Sequence, residues 1–131
     1  MHMRLMYFHA WFSTKRRQDA LLGENRDIVL KSFRDSAHRA GINLLEAEAL
    51  NDHAHVLVEV GRDQTLAGVI KRLKGASARE VYDQVPLLRV DMHSNSFWQR
   101  GYESRIVPTN QIEIVRRYIR TQDQRPLRHS D

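Results

Sequence analysis

The stretch that most restricts the fold runs from Leu44 to Val60. Two strand-like runs, Leu44 to Leu50 and His53 to Val60, flank Asn51-Asp52, a pair suited to a tight turn. In the second run Ala54, Val56, Val58 and Val60 alternate with His53, His55, Leu57 and Glu59. Successive side chains of a strand point to opposite faces, so the first set is expected in the core and the second on the other side.

The rest of the chain is built around this hairpin. Leu5 to Ser13 is rich in aromatics and reads as a first strand, bounded by the basic turn Lys15-Arg16-Arg17. From about Asn25 to Ala40, the residues Val29, Phe33, Ala37 and Ala40 recur at helical spacing, and Gly41 follows as a natural C-cap. Leu66, Val69, Ile70 and Leu73 mark a second helix, with Thr65 as its N-cap and its end near Tyr82. Pro86 closes that region, and residues 87–96 read as a polar loop with room for a short strand. Tyr102 to Val107 is a fourth strand, stopped by Pro108. Thr109 or Asn110 then caps a last helix reaching about Gln122, with Ile112, Val115 and Ile119 as its buried stripe.

The order β-α-β-β-α-β predicts an α+β fold of the ferredoxin-like or RRM-like kind: a split βαβ antiparallel sheet with helices on one face. A tyrosine-bearing C-terminal helix follows. The 131 residues suit one domain. Such a fold hosts many activities and names none.

Composition excludes several classes. With no cysteine there is neither a disulfide nor a Cys-ligated metal centre. The N-terminal residues lack the apolar run of a signal peptide, and no stretch approaches the roughly 20 apolar residues that span a bilayer. A soluble, cytoplasmic protein is expected. Lys and Arg outnumber Asp and Glu by 21 to 16, which favours a polyanionic partner through counterion release.

Two imidazoles from one strand, His53 and His55, project side by side, as two ligands of a divalent ion require. Alone, a His-x-His on the solvated face of a hairpin more often has no such role. On the last helix, Tyr118 and Gln122 lie one turn apart on one ridge, extended backwards by Ile114. A tyrosine can serve as a covalent nucleophile where a metal polarises the phosphate it attacks, and a glutamine carbonyl can act as a ligand. Taken alone, this helix fits a packing tyrosine and a surface glutamine better.

The combination is more specific. His53-Ala54-His55 on a strand, followed far downstream by Tyr118-Ile119-x-x-Gln122 on a helix, resembles the HUH single-tyrosine transposases of the insertion-sequence-200/605 group. Lys74-Gly75-x-Ser77 resembles that family's Lys-Gly-x-Ser segment, and Phe97-Trp98-Gln99-Arg100-Gly101-Tyr102 its Phe-Trp-x-x-Gly-Tyr segment. The sequence departs from the family at Asn51, where proline is usual, and at Ala54, where a bulky apolar residue is usual. Neither departure removes a ligand.

The resemblance implies a transposase that cleaves and rejoins single-stranded DNA at hairpin-bearing ends. Tyr118 would be the nucleophile, forming a 5′-phosphotyrosine, and Mg²⁺ or Mn²⁺ would sit on His53, His55 and Gln122. It also implies a homodimer, with Tyr118 acting in its own subunit or in the partner's. Lys71, Lys74 and Arg79 on the second helix and Arg116, Arg117 and Arg120 around the tyrosine are the expected DNA contacts. Trp98 and Tyr102 could stack on bases but suit core or interface positions better.

Three other readings compete. A domesticated REP-associated tyrosine transposase would suit the Phe97 to Tyr102 run, but its tyrosine motif ends in Asn-Pro where this chain has Gln122-Asp123. A non-catalytic RRM-like domain shares the element order. Its aromatic motif is matched only by Arg100-Gly101-Tyr102, since Glu103-Ser104-Arg105 lacks the continuation that stacks bases. A metal-binding protein with a merely structural Tyr118 is the third.

Overall fold

The computed structural model describes residues 5–121. Its sheet has four strands: β1 (Met6–Ser13), β2 (Asn43–Leu50), β3 (His53–Val60) and β4 (Glu103–Val107). They lie in the order β2-β3-β1-β4, and every neighbouring pair is antiparallel. This is the predicted split βαβ arrangement: β1 and β2 run parallel but apart, with β3 inserted between them.

Helices α1 (Gly23–Ala40) and α2 (Leu66–Gln84) cover one face of the sheet. Alternation decides what meets them. Phe8, Ala10 and Phe12 of β1 and Ala54, Val56 and Val58 of β3 point into one core, joined by Val29, Phe33 and Ala37 of α1 and Val69, Ile70 and Leu73 of α2. The ends of both helices follow the sequence signals. Gly41 adopts φ +69, a left-handed conformation that favours glycine, and its N–H donates to the carbonyls of Ala37 and His38. Thr65 Oγ1 accepts from the Gly68 N–H at the start of α2.

Helix α4 (Ile112–Arg120) packs on the opposite face, across β2 and β3. Val115 and Ile119 meet Leu57 and Val107 in a second, smaller core. An irregularity in β2 serves this face: the pairing skips from Leu44↔Val58 to Glu46↔Leu57. The extra residue lets Leu44 pack against the first core and Leu45 against the second, and it turns Glu46 towards α4.

Two expectations are corrected. Residues 87–96 are not simply a loop, because Leu87–Met92 forms a helix, α3. Pro86 is its N-cap in a helical conformation, and Leu88 and Met92, four apart, are buried. The proline read as a terminator is thus also an initiator. Neither Thr109 nor Asn110 caps α4 through its side chain. They form a 3-10 turn (Thr109–Gln111), and Gln111 takes the N-cap position without a side-chain hydrogen bond.

Candidate active site

The face of the sheet beneath α4 collects the reactive side chains. Strand alternation puts Tyr7, His9, Trp11 and Ser13 of β1 on this side, with His53, His55, Leu57 and Glu59 of β3. The register then sets the neighbours: Trp11 lies opposite His55, Ser13 opposite His53, and His9 opposite Leu57. His9 and His55 are therefore diagonal across the ladder, within reach of one another.

Three imidazoles are enclosed here, His9 and His55 each 3% exposed and His53 5%. His9 Nε2 and His55 Nδ1 are joined by a 2.8 Å hydrogen bond. The rings of His53 and His55 have centroids 5.0 Å apart, and Trp11 stacks on His55 at 6.0 Å. Tyr118, half-buried on α4, presents its ring edgewise to both His55 and His9, at 6.3 and 6.1 Å. So the strand histidines do not lie on a solvated face. The structure brings them together with Tyr118, while Gln122 lies outside the described residues.

The nitrogens show what the cluster can bind. His53 Nδ1 meets Asp52 Oδ1 at 2.8 Å, and an ionised carboxylate only accepts, so the proton sits on Nδ1. That leaves Nε2 of His53 as a lone pair. Nε2 of His53, Nε2 of His55 and Nδ1 of His9 are buried and have no partner among the described residues. A buried polar atom without a partner carries a desolvation cost, which a bound ligand would offset. Two buried imidazole Nε2 atoms on neighbouring rings, one ring held by a carboxylate at its other nitrogen, fit a divalent metal. Among the described residues, no three His, Cys, Asp or Glu side chains converge on one point. A further ligand must come from another donor type or from outside them.

Burial first, and then the positive charge of Arg105, pushes His9 down from its ordinary 6.5 to about 4. Burial lowers His55 further, with His9, His53 and Arg105 adding to it. Both rings are held neutral, the state in which imidazole ligates. Sequence reasoning missed His9 and Arg105. The signal was the alternation of β1, but the pairing His9↔Arg105 and the diagonal to His55 depend on register.

The expected DNA contacts divide into groups. Arg116 and Arg120 both reach Glu46 of β2 and Glu113 of α4, tying the tyrosine helix to the sheet edge. Arg117 is exposed. Lys71 and Arg79 line a groove of about 550 Å³ between α1 and α2, with Arg39 and Arg72. This groove is on the opposite side of the sheet from Tyr118. Lys74 has a structural position: its Nζ donates to the carbonyls of Gln99 and Gly101, at 2.8 Å each, above the Phe12 ring. Burial lowers its pKa.

Lys74 belongs to a joint between the two family-like segments. Ser77 Oγ donates to the Leu73 carbonyl and accepts from Trp98 Nε1 at 2.9 Å. Phe97 and Trp98 are core residues, whereas Tyr102 is exposed beside a pocket of about 500 Å³.

The second core also bears on the RRM-like reading. An RRM offers the sheet face away from its helices to stacked bases. Here α4 fills part of that face, and the histidines on it are buried.

A β-α-β-β-α-β sheet, with two imidazoles and a helix-borne tyrosine on the face away from α1 and α2, fits the transposases that the sequence motifs resemble. Comparison with known proteins agrees. The family described as "Transposase IS200 like" matches residues 2–122, and the chain belongs to it. The ISDra2 transposase TnpA of Deinococcus radiodurans is 30% identical over 115 residues, covering 88% of this chain and 82% of its own. The transposase for insertion sequence element IS200 of Salmonella typhimurium is 32% identical over 107 residues, covering 82% of this chain and 70% of its own. A solved Deinococcus radiodurans protein assigned as a transposase superposes with a TM-score of 0.74 at 27% identity, covering 91% of this chain and 92% of its own. A REP-associated tyrosine transposase solved with a REP hairpin shares the fold, with a TM-score of 0.66 at 12% identity over 91% of this chain and 67% of its own. Among the described residues, no helix is long and apolar enough to cross a membrane.

Proposed function

We propose that this transposase cleaves and rejoins single-stranded DNA at hairpin-bearing element ends, with Tyr118 as nucleophile and a divalent metal held by His53, His55 and Gln122. One observation carries the reading: His53 and His55, adjacent rings with buried, unpartnered Nε2 atoms, stand beside Tyr118 of α4 through the edgewise contact of His55. A Mg²⁺ or Mn²⁺ ion there would neutralise charge on the scissile phosphate and orient it. The chain's own residues do the rest. Asp52 fixes the ring of His53, and α4 holds the Tyr118 phenol beside the imidazoles. Attack by the Tyr118 oxygen forms an O–P bond and breaks the P–O3′ bond. The phenol loses a proton and the departing 3′ oxygen gains one, leaving a 5′-phosphotyrosine and a 3′-OH. Attack by another 3′-OH reverses the step and joins strands with no net change in bond type.

Arg117 beside the nucleophile and Lys71 and Arg79 in the α1–α2 groove are the proposed phosphate contacts, supported by exposure and by the clustering of cations. Arg116 and Arg120 would contribute through the part of each guanidinium not facing Glu46. A homodimer is part of the proposal, supported by the outer edge of β4 and its exposed Ile106.

The test is a denaturing gel of the full chain incubated with single-stranded hairpin DNA and Mn²⁺. A covalent adduct is expected, lost in Tyr118→Phe and greatly reduced in His55→Ala. An adduct that survives Tyr118→Phe would overturn the nucleophile, and binding without any adduct would overturn strand transfer.

A further inference from the structure

The proposed ligands are oriented by different partners: a carboxylate holds His53, whereas His55 leans on another imidazole. We propose that His9 is a positioning residue that sets the tautomer of His55, accepting its Nδ1–H so that His55 Nε2 is free to ligate. This rests on the metal-site reading above.

A neutral imidazole has one N–H and one lone pair. His9 Nε2 and His55 Nδ1 are 2.8 Å apart and both rings are buried, so one of the two nitrogens carries the shared proton. If His9 Nε2 donates, the proton of His55 sits on its own Nε2 and blocks ligation. If His55 Nδ1 donates, His55 Nε2 becomes a lone pair, as Asp52 makes of His53 Nε2. Only the second arrangement gives two buried Nε2 lone pairs from one strand.

The partners differ in what they impose. Asp52 as a carboxylate can only accept, so His53 is committed before any metal arrives. His9 can donate or accept, so His55 commits only when His9 carries its own proton on Nδ1. His9 Nδ1 is buried without a partner among the described residues, and the His9 ring lies edgewise to Tyr118 at 6.1 Å. Ligation at His55 thus fixes the hydrogen bonding of a ring that borders the nucleophile. Strand geometry holds the pair in place: His9 is diagonal to His55 across β1 and β3, and Trp11 packs against both rings.

The test uses Mn²⁺ alone, titrated into the full chain and read by electron paramagnetic resonance. His9→Phe keeps the ring volume and removes the acceptor, and should weaken Mn²⁺ binding about 10- to 100-fold, the range typical of lost second-sphere partners. His9→Gln places a carbonyl oxygen near the former Nε2 and should recover most of that loss. Wild-type affinity in His9→Phe would overturn the inference, and a Tyr118 adduct formed at normal yield would then leave the strand-transfer reading standing. If His55→Ala leaves Mn²⁺ affinity unchanged, the metal-site reading falls and this inference with it. Should His9→Phe fail to fold, ring ¹⁵N spectra of the unsubstituted protein with Mg²⁺ decide the matter. A proton on His55 Nδ1, shared with His9 Nε2, is expected, and one on His55 Nε2 would overturn the proposal.

Discussion

Replacing Ile119 with alanine tests whether α4 is a separately held unit, on which the placement of Tyr118 depends. Ile119 is fully buried, yet among the described residues its core contains three other buried residues, Leu57, Val107 and Val115. Polar links from Arg116 and Arg120 to Glu46 are partly exposed and add little. With nine residues, α4 is shorter than the roughly 12–15 that hold a helix in isolation, so undocking and unwinding should coincide. A buried Ile→Ala change costs about 2–5 kcal/mol, and the lower half applies where a surface helix can settle into the gap. Taking about 2–3 kcal/mol, with about 1.4 kcal/mol per tenfold, the open population of α4 should rise roughly 30- to 140-fold. Hydrogen exchange followed along the chain reads this directly. Amides of α4 should exchange faster by that factor, while those of α1 around Val29 and Phe33, packed in the other core, should change less than about threefold. Equal acceleration in α1 and α4 would refute the idea of an independent unit. No acceleration in α4 would refute the packing argument itself.

Two further outcomes follow from the structure. In the chelated protein, His9 and His55 are neutral when folded, with His9 at about 4 against an ordinary 6.5, so the unfolded chain binds more protons at acid pH. Stability should therefore be level above about pH 6.5 and fall below it, by about 1.4 kcal/mol per pH unit for each ring; the His9 part, on the order of 3 kcal/mol, is complete near pH 4. Urea midpoints from pH 7.5 to 4.5 check this, with His9→Gln removing its share of the slope; a flat profile would contradict it. At Gly41, φ +69 penalises a Cβ although no atom lies within 4 Å of one. Gly41→Ala should cost about 1 kcal/mol and lower Tm by about 4 °C in calorimetry, whereas an unchanged Tm would contradict the strain.

Local patterns made the frame legible. Alternation along β3 assigned Ala54, Val56 and Val58 to the core and His53 and His55 to the other face, because the side-chain period of a strand needs no knowledge of its neighbours. Gly41 and Thr65 marked helix ends for the same reason: a cap is a contact within a few residues. Helix α3 escaped because six residues are too few to establish a period, and Pro86 signals a stop and a start equally well.

The resemblance of the tyrosine and histidine motifs named the class, which spacing alone did not. The basic residues were visible, but not their occupations. Lys74 is engaged by the Gln99 and Gly101 carbonyls, and Arg116 and Arg120 by Glu46, partners distant in sequence.

The sequence by itself determined the element order, the two-faced hairpin and the residues offered for chemistry, since these rest on contacts between near neighbours in the chain. Only the tertiary structure decided that His9 meets His55 and that α4 brings Tyr118 against both of those rings. Those facts depend on the register of β1 against β3 and on which sheet face a short helix covers. Both are settled by packing among segments roughly 40 to 60 positions apart, which no local pattern encodes.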